Sequence, residues 1–237
     1  MALQFKRVLL KISGEALKGS DEIYDKEKLG DVAQQVIDLT NQGLQVGIVI
    51  GGGNIWRGKL AGTLELHRIE ADYMGMLATI MNALAFEATL KKMGFSKVKV
   101  YSSLEIKTVT SAYNYRNARE KLDEGYVVIF AGGTGFSYFT TDTGACIRGI
   151  EIQADALLMA KNGTKGVYDC DPNTHPDAKF FSELSYDDLL VKKLQVMDST
   201  AATLSRDGQL EIVVFDMNGK NNIVKIAHGE LEATYIK

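Results

Sequence analysis

Short apolar runs alternate along the chain with longer stretches that have a helical period. The runs are rich in Val, Ile and Leu and are almost uninterrupted, which is typical of strands buried on both faces of a parallel sheet. They predict strands at Phe5–Ile12, Leu44–Ile50, Lys97–Tyr101, Tyr126–Ala131, Ala156–Lys161, Leu210–Phe215 and Thr234–Ile236.

Between the strands, apolar residues recur every three or four positions, as on one face of a helix. This spacing predicts helices at Lys26–Gln42, Arg68–Met93, Asn114–Asp123, Thr143–Gln153, Tyr186–Leu194, Asp198–Arg206 and Asn222–His228. Asp142 is placed to cap the fourth of them. The helix from Arg68 is apolar on more than one side, so we expect part of it to contact another subunit.

The alternation of strands and helices predicts an α/β protein whose mostly parallel sheet is covered on both faces. The 237 residues contain no repeat, no low-complexity segment and no obvious linker, so we expect one domain over 1–237.

Composition and charge exclude several classes of protein. The net charge of −3 provides no long-range attraction to nucleic acid or acidic membranes. Charge interrupts residues 1–11 too early for a signal peptide, and no apolar run approaches the roughly 20 residues of a membrane span. The two cysteines have no metal-ligand spacing. We therefore expect a soluble, cytoplasmic protein without a nucleic-acid or membrane partner.

Three glycine-bearing turns follow three of the predicted strands, at Gly14, Gly51–Gly53 and Gly132–Gly135. The carboxyl ends of parallel strands meet at one edge of a sheet, so these turns should gather there. Glycine has no Cβ and lets another group approach the backbone N–H donors closely. The sequence therefore predicts a ligand site at this edge.

Side chains near the turns predict a polyphosphate ligand. Lys11 ends the first strand, and Arg57 follows the triglycine turn with a planar fork of five donors. Hydroxyl groups are supplied by Ser13, Thr134, Thr140 and Thr141. Cations and backbone N–H groups would face phosphate oxygens, while carboxylates manage a magnesium ion.

Several common enzyme classes lack their motifs here. The chain has no Gly-x-x-x-x-Gly-Lys-Ser/Thr loop, no Gly-x-Gly-x-x-Gly after the first strand, and neither His-Arg-Asp nor Asp-Phe-Gly. The three histidines lie far apart and share no zinc-ligand spacing with cysteine or carboxylates. A Gly-x-Ser-x-Gly turn is also missing, which disfavours a serine hydrolase.

Five segments form an ordered series across almost the whole chain. They are residues 8–16 (VLLKISGEA), 50–58 (IGGGNIWRG), 71–78 (ADYMGMLA), 133–142 (GTGFSYFTTD) and 166–172 (GVYDCDP). The series closely resembles the bacterial uridylate (UMP) kinases of the amino-acid kinase superfamily. The first two segments mark the superfamily, and the third and fourth mark the UMP kinase branch.

The resemblance implies a three-layer αβα sandwich and transfer of the γ-phosphoryl group of ATP to UMP. It implies Mg²⁺ held mainly through ATP phosphates and water, with no direct protein ligand, and a homohexamer. The N-terminal part would bind mainly UMP and other subunits, and the C-terminal part mainly ATP. GTP and UTP enter as candidate effectors because Glu15–Tyr24 resembles a region where some relatives take up GTP.

The resemblance also implies roles for individual residues. It assigns catalysis to Lys11, Arg57, Asp142 and Asp198. For ATP it implies Lys11, Ile12, Ser13, Gly14, Gly53, Arg57, Asn162, Tyr168 and Asp171. For UMP it implies Gly52, Arg57, Asp72, Thr134, Gly135, Phe136, Ser137, Tyr138, Phe139, Thr140 and Thr141. Asp142 would orient Lys11 or a magnesium-bound water, since a carboxylate repels phosphate.

Two other functions stay open. One is a superfamily relative that phosphorylates an amino acid or carbamate, and Asp72 and the 134–142 loop disfavour it. The other is a non-catalytic nucleotide-binding sensor, which the presence of both Lys11 and Arg57 disfavours. Among single residues, Trp56 is interpreted as a packing or subunit-contact residue, and Asp198 is also interpretable as a plain helix cap.

Overall fold

The computed structural model of the chain describes residues 2–192, 194 and 196–237. Its strands are β1 (Arg7–Ile12), β2 (Gln45–Ile50), β3 (Val98–Ser102), β4 (Ser111–Ala112), β5 (Val127–Ala131), β6 (Ala156–Lys161), β7 (Val167–Tyr168), β8 (Phe180–Phe181), β9 (Glu183–Leu184), β10 (Glu211–Asp216) and β11 (Thr234–Ile236). Its helices are α1 (Lys26–Asn41), α2 (Gly58–Thr63), α3 (Arg68–Lys92), α4 (Tyr115–Asp123), α5 (Thr141–Glu151), α6 (Tyr186–Val191), α7 (Ser199–Asp207) and α8 (Asn222–Ala227). Residue 193, inside the predicted helix Tyr186–Leu194, lies outside the described residues.

One large sheet organises the described part of the chain, in the order β4-β3-β5-β2-β1-β6-β10-β11-β9. Its neighbouring strands are parallel except for the pair β10 and β11. The predicted mostly parallel sheet is therefore confirmed. β1 lies near the middle, with β2 on one side and β6 on the other.

The strands alternate their side chains between two apolar cores, one on each face of the sheet. The first core joins Leu10 and Leu158 to α1, α3 and α8, as through Val36 and Phe86. The second joins neighbouring strand residues, such as Leu9, to helices α4, α5, α6 and α7. Helices on both faces make the three-layer αβα sandwich, as expected.

Helix α3 is amphipathic only in part. Its buried side includes Met76, Ile80 and Phe86, whereas Leu77 and Met81 are 46% and 52% exposed. The long apolar helix thus packs one face on the sheet and leaves a second apolar face uncovered in the single chain.

The prediction that Asp142 caps α5 is wrong, because the N-cap is Thr140. The Thr140 hydroxyl accepts hydrogen bonds from the backbone N–H groups of Asp142 and Thr143, each at 3.2 Å. Asp142 therefore lies in the first helical turn, where a negative charge is favoured by the helix dipole. Its carboxylate is left available for another partner.

The short elements escaped prediction. A 3-10 turn at Gly14–Leu17, the helix α2 and the two-residue strands are too short to show a period. α2 has no buried residue, so it has no apolar face to read. Among the described helices, none has the length and hydrophobicity needed to cross a bilayer.

Candidate active site

The three predicted glycine turns do meet at one edge of the sheet. They follow β1, β2 and β5, which are adjacent and parallel. A Cβ on Gly14 would lie 2.4 Å from the Gly51 carbonyl oxygen and 2.9 Å from the Gly53 nitrogen. Only glycine permits this contact between backbones, so the first two turns form one surface.

Two asparagines, Asn54 and Asn82, fix the triglycine turn by hydrogen bonds. The side-chain amide of Asn82, which is fully buried, donates to the Gly51 carbonyl and to Asn54 Oδ1, each at 2.7 Å. Asn54 in turn donates to Asn82 Oδ1 and to the Ile23 carbonyl, each at 3.1 Å. This network ties the turn to α3, and a buried, satisfied network of this kind makes the turn rigid.

Lys11 forms an ion pair with Asp142 at the centre of this edge. Its Nζ lies 2.8 Å from Asp142 Oδ1, and the two side chains are only 11% and 18% exposed. Lys11 comes from the end of β1 and Asp142 from the first turn of α5. The expectation that Asp142 orients Lys11 thus has its geometry in this contact.

Asp198 supports the same region from α7. It caps α7 by accepting from the Ala201 N–H at 3.0 Å, and it also accepts from the hydroxyls of Thr140 and Thr143. Burial by itself raises the pKa of Asp198, but these hydrogen bonds outweigh burial and hold the pKa below its usual value. Asp198 is therefore both a helix cap and the anchor for the start of α5. It does not contact Lys11.

Arg57 lies on the outer side of the glycine turns. Its Nη2 lies 2.8 Å from Glu15 Oε1, and its Nε donates to the Gly53 carbonyl at 3.3 Å. Both side chains of the ion pair are about half exposed. The guanidinium is thus held loosely beside Gly53 by an exposed carboxylate, which binds it weakly in water.

A cavity of about 300 Å³ opens between the turns after β2 and β5 and the start of α3. Of the residues predicted for UMP, it is lined by Gly52, Asp72, Thr134, Phe136, Phe139, Thr140 and Thr141, together with Gly53. The other predicted UMP residues, Arg57, Gly135, Ser137 and Tyr138, are not part of its wall.

Tyr138 still acts on this cavity through Asp72. Its backbone N–H donates to Asp72 Oδ2 at 2.7 Å, and the Arg68 guanidinium lies 4.8 Å from the centre of its ring. Tyr138 has a positive φ of 70°, which a non-glycine residue adopts at a cost. These two contacts hold the 134–142 loop against the first turns of α3.

The cavity wall also contains residues that the sequence analysis did not select for it. They are Trp56, Gly58, Ala71, Gly75, Met76, Thr79 and Gly133. Gly75, Met76 and Thr79 could have been found, since they follow Asp72 at the helical spacing of three, four and seven. Trp56 packs against Gly75 as a packing residue would, with the site of a Gly75 Cβ 3.5 Å from its ring, and it lines the cavity as well.

A second cavity, of about 510 Å³, opens beyond β6 and β10. Its wall includes Tyr168 and Asp171, two of the residues predicted for ATP. Asn162, the third predicted residue of this region, is exposed and is not part of the wall, although its neighbour Lys161 is. Sequence analysis did not select Lys161, which ends β6 much as Lys11 ends β1.

The remaining predicted ATP residues lie between the cavities. Ser13 and Gly14 begin the turn after β1, and the Ser13 carbonyl accepts from the Ala16 N–H at 3.1 Å. Ile12 is fully buried in the core, and its carbonyl accepts from the Gly51 N–H at 2.9 Å. The Ile12 side chain is therefore structural, and only its backbone is near the site.

The sheet order places β1 between the two cavities. β5 and β2 lead to the smaller cavity, β6 and β10 lead to the larger one, and Lys11 stands at the end of the strand that divides them. Such an arrangement can hold two ligands whose charged ends meet near Lys11.

Comparison with known proteins decides the family. Residues 6–216 match the model of the "Amino acid kinase family". The chain belongs to this family. It is 60% identical to the uridylate kinase of Mesoplasma florum over 237 residues, which cover both chains completely.

Solved structures of the same branch have the same fold. The UMP kinase from Ureaplasma parvum matches with a TM-score of 0.94 and 37% identity, over 99% of this chain and 100% of that one. The UMP kinase from Bacillus anthracis matches with a TM-score of 0.95 and 38% identity, over 98% and 96%. The resemblance of the chain to bacterial UMP kinases is thus confirmed over almost its whole length.

The anchoring role of Asp198 predicts that the stability of the fold depends on pH. Because the folded-state pKa is lowered, ionised Asp198 stabilises the fold fully above its unfolded pKa of about 3.9, and this stabilisation is lost as pH falls. Asp198→Asn should lower the free energy of unfolding by about 1 to 2 kcal/mol at neutral pH. In urea titrations the difference from wild type should shrink below about pH 4.

Asp187→Asn is the matched control, because Asp187 is an exposed carboxylate that pairs with Arg206 at 3.3 Å. Exposed pairs contribute little, so this change should leave stability nearly unaltered at every pH. An Asp198→Asn difference that stays constant from pH 7 to pH 3 would contradict the assigned anchor.

Proposed function

We propose that the chain transfers the γ-phosphoryl group of ATP to UMP, with UMP in the smaller cavity and ATP in the larger one. The observation that carries the proposal is the position of Lys11 at the end of β1, between the two cavities. The full-length uridylate kinase relatives support the choice of acceptor over an amino acid or a carbamate.

On the acceptor side, Asp72 supplies a carboxylate for the ribose. Its Oδ2 already accepts from the Tyr138 N–H, so Oδ1 is the oxygen open to ribose hydroxyls. The backbone and hydroxyls of the 134–141 loop, anchored by the Ser103 hydroxyl bond to the Gly133 carbonyl at 2.9 Å, would surround the base and phosphate. Phe136 and Phe139 add apolar surface to the wall.

On the donor side, Tyr168 and Asp171 would hold the nucleoside. Tyr168 packs edge to face on Phe180 at 5.4 Å, which fixes its ring in the short ribbon of β7 and β8. A fixed ring offers a surface for a base, and Asp171 offers an acceptor for ribose hydroxyls. Asn162 is proposed as a further contact at the exit of β6, and the backbone around Ser13 and Gly14 would face the phosphates.

Phosphoryl transfer needs position and positive charge more than it needs a base. The UMP phosphate is largely a dianion at neutral pH, so its oxygen attacks the γ-phosphorus while the bond to the β-phosphate oxygen breaks and ADP leaves. Repulsion between the two anions is the main barrier. Lys11, pre-oriented by Asp142, and Arg57, released from the exposed Glu15, would neutralise charge at the transfer point.

The side chains near Lys11 fit a magnesium ion that is held mostly by the nucleotide. Within the described residues, no three His, Cys, Asp or Glu side chains gather as a metal site. Asp142 is the nearby carboxylate with an oxygen to spare, because Oδ1 pairs with Lys11 and no hydrogen bond within the described residues engages Oδ2. It would hold a water bound to Mg²⁺, and the ion would supply charge neutralisation of the triphosphate.

We also propose one domain over 1–237, a homohexamer, and a cytoplasmic location for pyrimidine nucleotide synthesis. The exposed apolar face of α3 supports subunit contact, with Ile69, Tyr73, Leu77 and Met81 each at least 40% exposed. GTP and UTP are proposed effectors, with residues 15–24 as the region proposed for GTP. Glu15 pairs with Arg57, so a ligand bound there would act on the catalytic arginine directly.

A coupled assay of ADP release tests the function. Purified protein with Mg²⁺ and ATP should release ADP rapidly with UMP, weakly with CMP and at background with glutamate. Release with glutamate would favour an amino-acid kinase instead. Nucleotide binding without ADP release from any acceptor would favour a sensor.

Arg57→Ala should lower kcat/KM by about two decades, the scale of removing one preorganised donor. Arg57→Lys should recover only part of the loss, because an ammonium cannot form the planar fork. Arg206→Ala removes an exposed arginine that lines neither cavity and should leave kcat/KM unchanged. Near-normal turnover of Arg57→Ala would remove Arg57 from the mechanism.

Asp72→Asn should raise the KM for UMP about tenfold with a small change in the KM for ATP. The amide oxygen can still accept from the Tyr138 N–H, while the amide NH₂ replaces the oxygen that would accept from the ribose. The ratio of kcat/KM values for UMP and dUMP should therefore fall in the variant. An effect confined to ATP would reverse the assignment of the two cavities.

A further inference from the structure

Lys161 is a second lysine at the edge of the sheet where the two cavities open, and the function described so far does not use it. It is the last residue of β6, and its side chain lines the larger cavity. Its Nζ donates to the Val196 carbonyl at 2.7 Å. Lys161 is half-buried, and removing even part of an ammonium group from water costs free energy.

The strand register places Lys161 beside Lys11. Lys11 on β1 pairs with Met159 on β6, in a parallel ladder. Side chains two residues apart point to the same face of a sheet, so Lys161 shares the face of Met159 and Lys11. This is the face that α5 covers, with Asp142 in its first turn.

The charge of Lys161 is poorly compensated within the protein. Lys11 has a carboxylate at 2.8 Å, whereas no carboxylate of the described residues lies within 4.0 Å of Lys161 Nζ. Burial lowers the pKa of Lys161, the charge of Lys11 lowers it further, and Asp142 opposes this in part. The ammonium has three donors, and the Val196 carbonyl takes one of them.

An anionic ligand would supply the missing counter-charge. The cavity that Lys161 lines is the one proposed for ATP, and Lys11 on the neighbouring strand stands at the transfer point. Phosphate oxygens between the two lysines would accept hydrogen bonds from their remaining N–H donors and would offset the cost of partly burying Lys161.

We propose that Lys161 binds phosphate oxygens of the donor nucleotide, as a second cation beside Lys11. This inference rests on the proposed placement of ATP in the larger cavity. A purely structural Lys161 would instead serve only to hold the backbone at Val196. The two roles differ in whether the effect of a substitution depends on the phosphates of the ligand.

Calorimetric binding of three ligands to Lys161→Met separates these roles. We expect a non-hydrolysable ATP analogue and ADP to bind about 10- to 100-fold more weakly, as on losing a hydrogen bond between charged groups. Adenosine, which has no phosphate, should bind as it does to the wild type. The KM for UMP should stay within about twofold. Lys161→Arg should recover part of the affinity for the ATP analogue.

Lys165→Met is the matched control, in the loop that follows β6. Lys165 is exposed and pairs with Glu232 at 3.0 Å, outside the cavity wall, so its removal should leave all three affinities unchanged. If Lys165→Met and Lys161→Met lose the same affinity, the effect comes from the lower positive charge of the region and not from a contact of Lys161. That result would overturn the inference.

Two further results would overturn it. In the first, Lys161→Met weakens adenosine and the ATP analogue equally, as loss of a structural contact would. In the second, Lys161→Met and Lys161→Gln both melt like the wild type and bind the ATP analogue normally. A separate variant tests the placement of ATP in the larger cavity. If Tyr168→Leu binds adenosine as the wild type does, that placement is wrong.

Discussion

The ion pair between Lys11 and Asp142 is the contact on which the rest of the site depends. It joins the end of the central strand β1 to the first turn of α5, and both side chains are largely removed from water. A buried ammonium without a partner would lose its charge or destabilise the fold. Asp142 orients Lys11 before any nucleotide arrives, and the N-terminus of α5 in turn favours the carboxylate. The ion pair has no net charge, but it holds the ammonium group of Lys11 in place for an anionic ligand.

The anchoring of this pair extends through α5 into both substrate regions. Thr140 starts α5, Thr143 lies in its first turn, and Asp198 accepts a hydrogen bond from each hydroxyl while it caps α7. On the other side, Asn82 fixes the triglycine turn against which Gly14 packs. The residues that contact substrates can be few because these supporting bonds leave the turns little freedom. Asp198 is one of these supporting residues, because it holds Thr140 and Thr143 at the start of α5 and does not contact Lys11.

The sheet order separates two cavities, and ligands in both would have their charged ends close together. The smaller cavity opens beyond β5 and β2, the larger one beyond β6 and β10, and β1 stands between them. A kinase must hold donor and acceptor phosphates close in spite of their repulsion, and it must keep the two nucleosides apart. In the function proposed above, lysines on adjacent strands would offset this repulsion, while the nucleosides would lie along opposite halves of the sheet.

The sequence by itself determined the strands of three or more residues, the long helices, the parallel α/β class and the three glycine turns, because each depends on local period or on backbone freedom. It also led to Lys11, Arg57 and Asp72 through motifs, and to Asp142 although with the wrong cap. Only the tertiary structure decided that Asp142 pairs with Lys11, that Asp198 anchors α5, that Trp56 and Thr79 line the smaller cavity and that Lys161 stands beside Lys11. These facts depend on strand order and on contacts between residues far apart in the chain. Periodicity carries information about which face of an element is buried, but not about which other element covers that face.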